Sequence, residues 1–60
     1  MSQPTKIGQR VYIAGYGGQV QRAWAGRRAT VLRFTEAGMP VLDIDDVPGE
    51  VVDFYRCAEL

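Results

Sequence analysis

Val41-Leu42-Asp43-Ile44-Asp45-Asp46 is the stretch whose reading decides the fold. Apolar and acidic residues alternate there with a period of two, the period of a strand with one buried face. Leu42 and Ile44 must face inward, which sends Asp43 and Asp45 outward. A slip of one residue would bury the aspartates, so the register is fixed. Turn signals stand on both sides: Glu36-Ala37-Gly38-Met39-Pro40 before and Val47-Pro48-Gly49-Glu50 after. Gly38 can take positive φ, and Pro40 at the start of a strand removes no ladder bond. Pro48-Gly49 at the centre of the second turn is a strong local signal. Arg28 to Tyr55 therefore reads as two successive hairpins sharing their middle strand.

Working outward, Arg27 to Phe34 is the preceding strand. Thr30, Leu32 and Phe34 lie on one face, Ala29, Val31 and Arg33 on the other. Setting Phe34 against Leu42 and Leu32 against Ile44 leaves Arg33 facing Asp43, each pair contributing about 0.2–1 kcal/mol. After the second turn, Val51 to Tyr55 is a strand with Val52 and Phe54 inward and Phe54 meeting Ile44. Val51, Asp53 and Tyr55 then point outward, and Asp45 lies beside Asp53. Paired carboxylates can do acid–base work or hold a divalent cation. Neutralisation by Arg28, Arg33 or a partner subunit is the structural alternative, and it is the favoured one.

Towards the N-terminus, Arg10 to Ala14 alternates and is rich in strand formers, with Val11 and Ile13 inward. Residues 1–7 form a flexible arm before the domain of residues 8–60. Gly15 to Gly26 is a long loop dense in glycine. It lacks the Lys-Ser or Lys-Thr pair and following helix of a phosphate-cradling loop. Val20 to Ala25 is a short strand or one helical turn, and Trp24 a lid on one end of the core. Arg56 to Leu60 is a single closing turn, with Cys57 or Leu60 plugging the interior. The pattern predicts an all-β fold, a small five-stranded SH3-like barrel with the glycine-rich loop after its first strand.

Sixty residues make one domain whose burial alone leaves marginal stability. Small scaffolds of this kind add disulfides, a metal or an oligomer. Cys57 is the only cysteine and histidine is missing, so an internal disulfide and a four-ligand zinc site are excluded. Homo-oligomerisation is what remains. The single thiol, the polar N-terminus and the lack of an 18-residue apolar run predict a cytoplasmic protein without a membrane span. Net charge is zero, yet residues 1–33 carry six bases and no acid, while residues 34–60 carry seven acids against Arg56. Cross-strand pairing is the simplest consequence. Two opposed patches that dock head-to-face in an assembly, or a basic face for nucleic acid, are the alternatives. Arg22 to Arg33, with Tyr16 and Trp24, is the segment for weak nucleic-acid binding, which zero net charge disfavours.

Gly8-Gln9-Arg10-Val11, Ala23-Trp24-Ala25-Gly26, Thr35-Glu36-Ala37-Gly38, Pro48-Gly49, Asp53-Phe54-Tyr55 and Leu60 carry a resemblance to the type II, trimethoprim-resistance dihydrofolate reductases of plasmids and gene cassettes. The resemblance implies an SH3-like barrel in a homotetramer around one pore. It implies NADPH and dihydrofolate in that pore, lined by the segment matching Asp53, Phe54 and Tyr55. Asp53 stands where that family has glutamine, and the family's pore lysine falls near Ile13 or Ala14. The likeness therefore implies the barrel and the oligomer more directly than the reductase reaction. No catalytic residue and no metal site is assigned, since no histidine is available as a base and the only lysine is in the arm. The expected function is binding or assembly, as a homo-oligomer or protein adaptor, through Tyr16, Trp24, Arg33, Asp43 and Tyr55. The alternative is a reductase-like enzyme using NADPH.

Overall fold

The computed structural model describes residues 3–60. The strands are β1 (Arg10–Ile13), β2 (Arg28–Phe34), β3 (Pro40–Ile44), β4 (Val51–Val52) and β5 (Cys57–Glu59), with a 3-10 turn at Arg22–Trp24. They form one five-stranded antiparallel sheet in the order β4-β3-β2-β1-β5. The chain is all-β, as its alternation and turn signals predict.

Leu42 and Ile44 are buried, and Asp43 and Asp45 are exposed, so the two faces read for the central strand stand, while its pairing partners differ: Val31 lies opposite Leu42 and Ala29 opposite Ile44. Val11 and Ile13 are buried as expected. With Val20, Ala29, Val31, Val51 and Cys57 they make one core cluster, against which Trp24, Phe34 and Val47 pack. Burying each Val, Leu or Ile contributes about 1.5–3 kcal/mol. Ala29 lies opposite Val11 on one side and Ile44 on the other, where its small side chain lets three strands share one interior.

The neighbouring strands differ from the reading in parity. In β2 the inward residues are Ala29 and Val31, not Thr30 and Leu32. Val31 pairs with Leu42 but Arg33 with Val41, so Leu32 is an extra residue in a bulge. The bulge reverses the alternation, and Phe34 reaches the core edge opposite Pro40 instead of Leu42. Arg33 faces Val41 rather than Asp43 and makes a 2.7 Å ion pair with Glu50. In β4, Val51 opposes Leu42 in the core and Val52 opposes Val41. The strand then stops: Asp53 is fully buried, while Phe54 and Tyr55 are exposed. This is the reverse of the expected inward Val52 and Phe54 with outward Asp53.

One further segment is corrected. Cys57–Glu59 is a strand pairing with β1, where a single closing turn was expected. The lead-in is partly anchored. Pro4 is buried, Gln9 Oε1 accepts from the N–H groups of Thr5 (3.1 Å) and Lys6 (3.3 Å), and Gln9 Nε2 donates to Glu59 Oε1 at 2.7 Å. The remainder of the predicted arm, Met1 and Ser2, lies outside the described residues. Among the described residues, no helix is long and apolar enough to cross a membrane.

Candidate binding face

Asp53 organises the segment between β4 and β5. Its Oδ2 accepts from the backbone N–H groups of Arg56 and Cys57, both at 2.8 Å. Aspartate readily binds its own following backbone in this way, ending a strand and starting a turn. Inside that turn the chain bulges outward, and Phe54 and Tyr55 are 38% and 46% exposed. Tyr55 adopts φ 67°, the left-handed region that is unfavourable for a bulky residue. Its hydroxyl donates to the Ala37 carbonyl at 3.1 Å, tying the segment to the β2–β3 turn.

The glycine-rich loop meets this segment. Gly17 and Val20 exchange two 3.0 Å backbone bonds, and Val20 anchors the loop in the core. Gly18 takes φ 57°, and a Cβ there would overlap the Phe54 ring. The ring therefore sits directly on the Gly18 backbone. A Cβ at Gly17 would lie 3.2 Å from Nε and Nη2 of Arg56, which places the guanidinium over that glycine. The Arg22 guanidinium stands 5.7 Å above the Tyr16 ring, in cation–π range. Gln19 Oε1 accepts from the Val52 N–H at 3.1 Å, so the loop also covers a donor of the short edge strand. The loop and the Asp53 turn thus meet at Phe54 and Arg56, with the exposed Tyr16–Arg22 pair on the loop and the exposed Tyr55 ring on the turn, directed to the β2–β3 turn. Neither arginine has a salt bridge among the described residues.

A second surface is acidic. Asp43, Asp45 and Asp46 line an open concavity with Ile44, Val47 and Pro48. Arg10 grips Asp45 bidentately at 3.0 and 2.7 Å and also donates to Thr30 Oγ1 at 2.8 Å. These hydrogen bonds hold Asp45 below the usual carboxylate range. Asp43 and Asp46 make no salt bridge among the described residues. No group of three His, Cys, Asp or Glu residues there stands close enough to hold a metal ion.

The predicted site residues are divided between these places. Tyr16 is exposed on the loop and Tyr55 on the turn. Trp24 is half-buried against the core, and Arg33 is engaged with Glu50. Asp43 is on the acidic surface. The single outward face expected from Arg33, Asp43, Asp45, Asp53 and Tyr55 does not form, because Asp53 points inside. The expected Asp45–Asp53 carboxylate pair is likewise undone, with Asp45 held by Arg10. Of the proposed cofactor segment, Phe54 and Tyr55 reach solvent and Asp53 does not.

Burial pushes the Cys57 thiol up to about 12, and the adjacent Asp53 carboxyl raises it as well. The thiol is accordingly held as an unreactive core group. Phe54 on Gly18 and Arg56 on Gly17 were not anticipated from sequence. The signal was present in Asp53-Phe54-Tyr55-Arg56-Cys57: an aspartate whose side chain can bond the N–H groups three and four residues later. No family model, curated protein or solved structure matches this chain.

Proposed function

We propose that this chain is a small SH3-like barrel that works by binding another protein surface, and that its contact face is the Tyr16–Arg22 loop joined to Phe54–Arg56. The strand order supports the barrel: β1 lies between β2 and β5, and the long loop follows β1. One observation carries the binding reading. Phe54 lies on Gly18, so two segments distant in sequence are joined there, and each carries a further exposed ring, Tyr16 on the loop and Tyr55 on the turn. Exposed aromatics beside arginines are the composition of interface hot spots. The strained Tyr55 backbone is held by its turn, which keeps the ring outside.

Tyr16→Ala and Tyr55→Ala test this. Each should retain the wild-type circular dichroism and lose self-association or partner capture by tenfold or more. Arg33→Ala, at the Glu50 ion pair, should leave capture unchanged. Unaltered assembly and capture in both tyrosine variants would overturn the assignment. A second reading, a reductase-like enzyme, is favoured by the exposed Phe54-Tyr55 segment alone. Oxidation of NADPH by dihydrofolate in the presence of the wild-type chain, lost in Tyr55→Ala, would support it.

A further inference from the structure

We infer that the partner of the aromatic–arginine face is a second copy of this chain, presenting its Asp43–Asp46 concavity. This rests on the binding reading above. The argument is charge complementarity within one sequence. The face carries Arg22 and Arg56 with no salt bridge to either, and the concavity carries Asp43 and Asp46 with none. No hydrogen bond or ion pair joins the two surfaces inside the chain, among the described residues. Formal net charge is zero, so every copy carries both complements in balance.

The two surfaces also match in kind. The concavity is open and lined by Ile44, Val47 and Pro48 besides its carboxylates. Ile44 is buried, so Val47 and Pro48 are the apolar groups a ring can meet there, while the guanidinium of Arg56 meets Asp43 or Asp46 in bidentate fashion. Zero net charge makes a polyanion the weaker candidate, since nucleic acid is held by an excess of positive charge.

Face and concavity are different patches, so their contact is heterologous, running head to tail. It propagates beyond a dimer unless a ring closes. Nothing in such a contact limits it to two copies, which gives the test its form.

The test is sedimentation of the full chain and two variants at low salt. Arg56→Glu disables the face and leaves the concavity. Asp43→Lys with Asp46→Asn disables the concavity and leaves the face. Asparagine is chosen at Asp46 because φ is 63° there and asparagine tolerates that region. The wild type should associate beyond dimer at high micromolar concentration and dissociate at least tenfold more readily in 0.5 M salt, where the Debye length falls to about 4 Å. Each variant alone should sediment as the 6.7 kDa monomer. An equimolar mixture of the two should form a dimer and nothing larger, because only one intact face and one intact concavity remain.

A wild-type monomer at millimolar concentration, or variants that associate as the wild type does, would overturn the inference. So would a mixture that stays monomeric. Should a variant fold poorly by circular dichroism, Arg56→Gln and Asp43→Asn provide milder forms, each expected to weaken association severalfold. If the wild type is monomeric yet Tyr55→Ala still loses capture of a foreign protein, the second-copy assignment falls and the binding reading stands. Arg56-dependent binding of a thymidine homo-oligonucleotide at physiological salt, tighter than self-association, would overturn it in favour of a nucleic-acid partner.

Discussion

Asp53 is the residue on which the proposed face depends. Removing its side chain leaves the Arg56 and Cys57 N–H groups without their acceptor; the buried Cys57 donor so orphaned costs about 1–3 kcal/mol, and the part-buried Arg56 donor adds less. Asp53→Ala should therefore lower the melting temperature by more than 10 °C, read by circular dichroism, given about 4–8 °C per kcal/mol at this size. Asp53→Asn keeps an acceptor and should lose less. Cys57 sets a pH window. Its native thiol holds its proton to about 12, against 9.0 for the ordinary group. Below pH 9 both states are protonated and the contribution is complete. Between pH 9 and 12 the unfolded chain ionises and the native one does not, so stability falls as pH rises. Denaturant titrations from pH 8 to 11 should show that fall in the wild type and a shallower one in Cys57→Ala. Gly18→Ala should be harmful for two reasons: its φ of 57° strains alanine by about 1–2 kcal/mol, and the new methyl displaces the Phe54 ring.

At the scale of elements, the central strand was legible in sequence because only one of its parities keeps aspartates out of the interior. Its neighbours were not. Arg28–Phe34 is apolar on both sides, with Ala29 and Val31 on one and Leu32 and Phe34 on the other, so alternation alone did not choose. The bulge at Leu32 then changes the choice midway. Val51–Tyr55 was misread because the period of two was carried past Val52, where the Asp53 side chain takes over from the ladder. Cys57–Glu59 is three residues long and has no alternation to detect; its strand character comes from β1. On the outer surface, Arg10 bridges β1 to Asp45 beyond β3, crossing β2 at Thr30. Both charges are about half exposed, so the strut is worth little and is screened by salt. Asp45→Asn should destabilise only slightly, and the loss should shrink in 0.5 M salt. A larger, salt-independent loss would show that the bridge fixes the strand arrangement.

At the scale of the molecule, the chain closes a core of small aliphatic residues, packs Trp24 and Phe34 against it, and leaves Tyr16, Phe54 and Tyr55 exposed. Phe54 and Tyr55 were assigned to opposite sides in sequence, yet share the surface because one buried carboxyl turns their segment outward. The segregation of charge along the chain was legible. Its destination in two separate surfaces, after Arg10–Asp45 and Arg33–Glu50 have paired, depends on the fold. Binding, assembly and the second-copy contact all require the loop and the Asp53 turn to meet at Gly18. Proton NMR tests that meeting most directly. The account predicts Gly18 α-protons shifted upfield by the Phe54 ring current, with cross-relaxation peaks between them and the ring protons. Gly18 α-protons at ordinary loop shifts, with Phe54 ring contacts to Ile44 instead, would contradict it.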